Sequence, residues 1–206
     1  MNASLRDIKR KATADALADA AYELAVDRGL DGFIVDDIVH KAGYSRRTFA
    51  NHFSCKEEAV AAAAVSVKSA SEAETVLSEM DQNITPLDIF QRLMKLQLVT
   101  EHIRKMRDLV ALSRRYPTIE PYILSAFHQL QLSAQVAVSG AVNGRYSDAY
   151  VHMLAGAVYG AVIPLLTGNV KVLMPGESAI DRPGAITIEQ YVETMFGYLR
   201  TGFQPL

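Results

Sequence analysis

A chain of 206 residues, half of them hydrophobic and 21% charged, is long enough to bury a core without help from metals or disulfides. The formal net charge of −2 argues against a protein that coats nucleic acid by bulk electrostatics, and a single cysteine, Cys55, excludes an intramolecular bridge. The N-terminal cations Arg6, Lys9, Arg10 and Lys11 are not followed by an apolar h-region, so no secretion signal is expected and the location is read as cytoplasmic.

The first predicted element is a helix from about Arg6 to Arg28, because Ile8, Ala12, Leu17, Ala20, Ala21 and Leu24 recur near helical spacing and Gly29 supplies a left-handed stop. A short helix is expected from Val35 to Lys41, closed by Ala42-Gly43, and another opens at Ser45, whose hydroxyl can cap it. An Ala-rich linking helix then runs from Lys56 to about Leu77, and Pro86 stands in the first turn of the next element. The remaining helices are expected near Leu87–Glu101, Lys105–Arg115, Glu120–Val142, Ser147–Leu166 and Thr187–Thr201, with a loop of roughly twenty residues before the last. Alternating strand patterns are nearly absent. The predicted fold class is therefore all-α, with about nine helices: a three-helix unit over residues 1–54 and a helical remainder over 55–206.

Residues 35–53 carry the strongest functional signal. A short helix, a tight turn at Ala42-Gly43-Tyr44 and a second short helix with Phe49 and Phe53 spaced i, i+4 make a helix-turn-helix, whose second helix can enter a DNA major groove. At about 100° per residue the two phenylalanines share one side, while Arg47, Thr48 and Asn51 share the other. Arginine can bond guanine and asparagine can bond adenine in two-pronged fashion, so this face has the chemistry of base reading. From Ile38 to Cys55 no acidic residue occurs, whereas Lys41, Arg46 and Arg47 are basic. Tyr44, His52 and Lys56 flank the face as expected phosphate contacts, completing a DNA-binding set of Tyr44, Ser45, Arg46, Arg47, Thr48, Asn51, His52 and Lys56.

Leu17, Ala20-Ala21, Leu24, Gly29, Val35, Asp37-Ile38, Ala42-Gly43, Ser45, Thr48-Phe49, Phe53 and Lys56-Glu57-Glu58 together resemble the signature of TetR-type regulators, over residues 10–60. The resemblance implies an all-helical homodimer with a three-helix N-terminal reader and a divergent C-terminal domain whose effector pocket controls the spacing of two readers. Two positions depart from the pattern. Ile34 stands where the family usually has Thr, removing a side-chain cap and leaving Asp36 and Asp37 to act through the helix dipole. Ala50 stands where the family usually has an aromatic residue.

Outside the motif, the five histidines, at 40, 52, 102, 128 and 152, form no i, i+3 or i+4 pair, so neither a metal site nor a cofactor is expected. No phosphate loop or nucleophile elbow is visible, and the chain does not read as an enzyme. Cys55, at a helix start, reads as a serine-like structural residue rather than a redox sensor.

Two stretches, Pro121–Gly144 and Ala149–Val170, carry no charge apart from histidine. The second is long enough to cross a bilayer, but Asp148, His152 and Pro164 argue against that, and burial inside protein is the expectation, with no membrane partner. Its Gly156 and Gly160 permit close helix approach and mark a dimer interface. The first stretch suits a pocket for a neutral, lipophilic effector; the lining candidates are Met94, Leu98, His102, Tyr122, Phe127, Gln131, Met153 and Tyr159. Together these features describe a ligand-responsive repressor released from a pseudo-palindromic DNA operator; a DNA-organising module without an effector would use the same reader.

Overall fold

Alanine sets how closely the first helices pack. In the computed structural model, which describes residues 5–65, 77, 83–97, 100–167, 169–173 and 184–202, helix α1 spans Leu5–Arg28 and buries Leu17, Ala18, Ala20, Ala21, Tyr22, Leu24 and Ala25. The expected stripe thus begins late: Ile8 is 56% exposed, and Ala12 is exposed as well. Helices α2 (Val35–Ala42), α3 (Arg46–Ala50) and α4 (Lys56–Ala62) follow. The small side chains of α1 let α4 approach closely with Ala59, Val60 and Ala61, and α2 adds Ile38 and Val39. Gly29, at φ +71, ends α1; a Cβ there would collide with the Tyr116 hydroxyl. Helix α4 passes into a 3-10 turn at Ala63–Val65 instead of continuing as α-helix. The expected extension to Leu77 lies almost wholly outside the described residues.

Helices α5 (Pro86–Gln97), α6 (Thr100–Arg115), α7 (Glu120–Val142), α8 (Asp148–Thr167) and α9 (Ile188–Thr201) complete the nine α-helices among the described residues. Packing divides the chain into two units, residues 1–68 with 105–129, and 69–104 with 130–206. Helix α4 lies in the first unit, packed on α1. In this first unit Lys105 on α6 pairs with Asp19 on α1 at 2.8 Å and stands over the Tyr22 ring.

In the second unit Ile89, Phe90, Leu93 and Met94 of α5, Val151, Ala155, Val158 and Val162 of α8, and Val192, Met195 and Phe196 of α9 form the core. Lys95 pairs with Glu193, and Arg200 with Asp88, along the α5–α9 seam. A capping box opens α9: Thr187 Oγ1 accepts from the Gln190 N–H, and Gln190 Oε1 accepts from the Thr187 N–H. Within the expected loop before α9, β1 (Val172–Leu173) and β2 (Ile186–Thr187) pair in parallel.

Helix α8 is buried on one side only within the single chain. By length and composition it could cross a membrane, and only 28% of Asp148–Leu165 is buried. One side enters the core, while Met153, Gly156, Ala157, Gly160 and Ile163 line an exposed side.

Candidate nucleic-acid interface

The helix-turn-helix is assembled from local rules. Ile34 offers no side-chain cap, but its N–H donates to Asp37 Oδ2 at 2.9 Å, so Asp37 holds the start of α2 by a direct bond and not by the dipole alone. At the other end Gly43 adopts φ 74, ψ 30; the Tyr44 N–H donates to the Val39 carbonyl at 2.9 Å and the Gly43 N–H to that of His40. This paired closure needs a left-handed residue, which glycine adopts without steric cost. Ser45 then caps α3, its Oγ accepting from the Thr48 N–H at 3.1 Å and lying 2.9 Å from Thr48 Oγ1.

Phe49 and Phe53 anchor α3 from below, both buried, their rings 5.6 Å apart and tilted. Arg46, Arg47, Ala50 and Asn51 are exposed on the other side, and Tyr44 is exposed in the turn. Asn51 closes α3, its N–H shared between the Arg47 and Thr48 carbonyls. The expected polar face is present, but its members are unequal. The hydroxyls of Ser45 and Thr48 are engaged with each other at the cap. Arg46 forms a two-pronged pair with Asp36 on α2, and these bonds hold the Asp36 carboxyl below its ordinary range. Lys41 pairs with Glu23 on α1 at 2.9 Å. Among the described residues Arg47 has no carboxylate partner, which leaves it and Asn51 as the outward groups with base-reading chemistry.

Lys56, expected as a phosphate contact, is engaged within the chain. Its Nζ donates to the carbonyls of Leu30 and Phe33 at 2.7 and 2.9 Å and lies 5.0 Å from the Phe33 ring centroid. The turn between α1 and α2 leaves these carbonyls without helical partners, and the ammonium at the start of α4 satisfies them. Lys56 therefore clamps that turn in the free chain. Cys55 caps α4, as its serine-like reading expects, with Sγ accepting from the Glu58 N–H at 3.4 Å. Ser54 donates through both N–H and Oγ to Glu58 Oε2.

His52 sits half-buried next to α1; burial and the charge of Arg10 hold its imidazole below the ordinary value. With Asn51 it lines a concavity whose other wall is Arg6, Asp7, Lys9, Arg10 and Thr13 of α1. The sequence reading missed these cations as site residues, although the i, i+3, i+4 spacing of Arg6, Lys9 and Arg10 was a usable signal.

The effector candidates are scattered. Tyr122 lies in the first unit near the start of α4, where the proximity of Cys55, then burial and the Glu57 and Glu58 carboxylates, push its phenol above the ordinary value. It is a neighbour of the α4 cap, and Phe127 is half-buried in the same unit. In the second unit Met94 is buried in the core, while His102, Gln131 and Tyr159 are half-buried. Met153 is 68% exposed, on the same side of α8 as Gly156 and Gly160, and is not an interior lining residue. Leu98 lies outside the described residues. A Cβ placed at Gly156 or Gly160 would meet nothing within 4 Å.

Comparison with known proteins bears on this motif. Residues 17–63 match the model of bacterial regulatory proteins of the tetR family. An uncharacterized HTH-type transcriptional regulator of Bacillus subtilis (strain 168), YwcC, is 43% identical over 51 residues, which cover 25% of this chain and 23% of that protein. The match thus spans about a quarter of the relative's length. Among solved structures, a protein assigned to the TetR family of transcriptional regulators from Mesorhizobium loti MAFF303099 superposes with a TM-score of 0.50 at 18% identity, over 94% of this chain and 96% of that one. A transcriptional regulator from Rhodococcus sp. Rha1 gives 0.52 at 19% identity, over 94% and 99%. At these identities the two structures speak to the all-helical fold alone. The family pattern is thus matched over residues 17–63, the segment that holds the helix-turn-helix seated on Phe49 and Phe53, and over that segment the chain is similar to the tetR family of bacterial regulatory proteins.

Proposed function

We propose that the protein is a cytoplasmic transcription repressor that binds a pseudo-palindromic operator in double-stranded DNA as a two-fold dimer and is released by a small lipophilic effector. The observation that carries the DNA reading is the pair Arg47 and Asn51, exposed on the side of α3 opposite the buried Phe49 and Phe53. A rigid apolar footing under two groups able to read guanine and adenine is what a recognition helix requires. Residues 1–54 act as the reader, and residues 55–206 as the effector-binding and dimerisation part.

Dimerisation is supported by the exposed side of α8, where Met153, Ile163 and two glycines open to solvent in one chain. An apolar surface of this kind with small residues at its centre fits a second copy packing helix on helix. Two readers then meet successive major grooves on one face of a duplex. The effector reading is supported by the uncharged run of α7 and by its half-buried Gln131 and Gln135. Such a ligand must bind the DNA-incompetent arrangement more tightly than the competent one.

Selection from a random duplex pool tests the central reading. Enrichment of an inverted repeat supports it, and failure to enrich any sequence sinks it. An effector screen on the selected duplex tests the second part: ligands that bind tightly yet leave operator affinity unchanged would remove the regulatory role.

A further inference from the structure

Helix α3 supplies the base-reading groups Arg47 and Asn51, and a second set of cations beside them belongs to α1. Arg6, Lys9 and Arg10 are exposed and share one face of its first two turns, ahead of the buried stripe that begins at Leu17. That face closes a concavity with Asn51 and His52 from the end of α3; Thr13 and Asp7 complete its rim. Three cations and one carboxylate of α1 thus line this concavity, all of them exposed and none in the core. Like charges at i, i+3 and i+4 oppose helix formation, so the arrangement favours an anion that neutralises them.

The location suggests which anion. A major groove is about 12 Å wide and walled by phosphates, so a short helix lying in it brings its ends close to the two backbones. Asn51 and His52 stand at the C-terminal end of α3 and line one concavity with the α1 cations. Lys56, turned inward onto Leu30 and Phe33, does not fill that role on its own side. We infer that Arg6, Lys9 and Arg10, with His52, clamp the backbone phosphates of the DNA strand flanking each half-site, supplying affinity that is independent of base sequence. The clamp rests on the DNA reading above. It extends the interface from the helix-turn-helix to the start of α1.

The test uses the full-length protein with the combined variant Arg6→Gln, Lys9→Gln, Arg10→Gln. Affinity is measured against potassium chloride concentration for a selected duplex and for a scrambled duplex of equal length. Removing one cation from a phosphate lowers the slope of log K against log salt by about 0.9, so three such cations in each of two readers predict a drop of up to about five. Both duplexes weaken by the same factor, on the order of tenfold or more at physiological salt, and base preference is retained. The charge-keeping variant Arg6→Lys, Arg10→Lys retains the wild-type slope.

An unchanged slope in the glutamine variant, with wild type still reading its selected duplex, overturns the clamp and leaves the α3 reading standing. A loss confined to the selected duplex makes these residues base readers and also overturns it. A wild-type protein that binds no duplex at any salt concentration overturns the DNA reading and the clamp together.

Discussion

The Tyr22 phenol donates to Asp108 Oδ2 at 2.6 Å, joining α1 to α6 across 86 residues of sequence. The Tyr22 ring is buried, and Lys105 stands 5.6 Å from its centroid while pairing with Asp19. A neutral hydroxyl bonded to a carboxylate is a charge-assisted contact, and Tyr22→Phe removes it while keeping the ring. Because Asp108 remains half-exposed and can rehydrate, the cost should fall near about 1–2 kcal/mol. Urea denaturation reads this directly; an unchanged midpoint at constant slope would show that the bond adds nothing to stability.

Arg47 and Lys56 should part company in experiment. Arg47→Ala is expected to cost roughly 1–3 kcal/mol at particular base pairs of a selected duplex and to relax preference there. Lys56→Ala should leave the salt slope of DNA binding unchanged but lower stability by about 1–3 kcal/mol, because it strips partners from the Leu30 and Phe33 carbonyls. Salt titrations and thermal melts of both variants separate the roles. A Lys56→Ala protein of wild-type stability with a shallower salt slope would return the lysine to the phosphate contacts.

These two residues also show what the sequence makes legible. Arg47 can be placed because the helical wheel of α3 is phased by Phe49 and Phe53, and the Gly43 stop and Ser45 cap are rules that act within a few residues. Lys56 cannot, since its acceptors lie 26 and 23 residues upstream and are known only once α4 packs over the α1–α2 turn. Met153 eludes the sequence for another reason: a helix such as α8, with no charge after Asp148 apart from histidine, has no charged side to set its phase, so either face can be read as interior. Strands of two residues, as in β1 and β2, are too short for alternation to register.

The environment of His52 predicts a pH dependence of known sign. Burial and Arg10 lower its pKa in the folded chain. Between that lowered value and the ordinary histidine value near 6.5 the unfolded chain binds more protons, so the stability of the free protein rises with pH through this window. His52 is only half-buried and the effect is accordingly modest. Melting temperatures from pH 5 to 7.5 should climb in wild type and climb less in His52→Gln. Equal slopes in the two proteins would remove His52 as the source.

Gly160 offers the sharpest separation of chain stability from assembly. It lies in the interior of α8, exposed, and a Cβ there meets nothing within 4 Å. Leucine at this position therefore encounters no obstacle within its own chain, and replacing glycine in a helix interior should stabilise the protomer by up to about 1 kcal/mol. If α8 packs on its counterpart in a second copy, the same side chain enters a close helix approach, where overpacking costs about 1–3 kcal/mol in each of two symmetric positions. Gly160→Leu should then weaken the dimer while the isolated protomer gains stability. Operator affinity should fall together with dimer affinity although the residues from Arg46 to Asn51 are untouched, because one reader makes only half the contacts. Sedimentation and operator titration on one sample decide the matter: a Gly160→Leu protein that stays dimeric at nanomolar concentration and binds its operator as tightly as wild type would place the interface elsewhere and leave the exposed side of α8 without a partner copy.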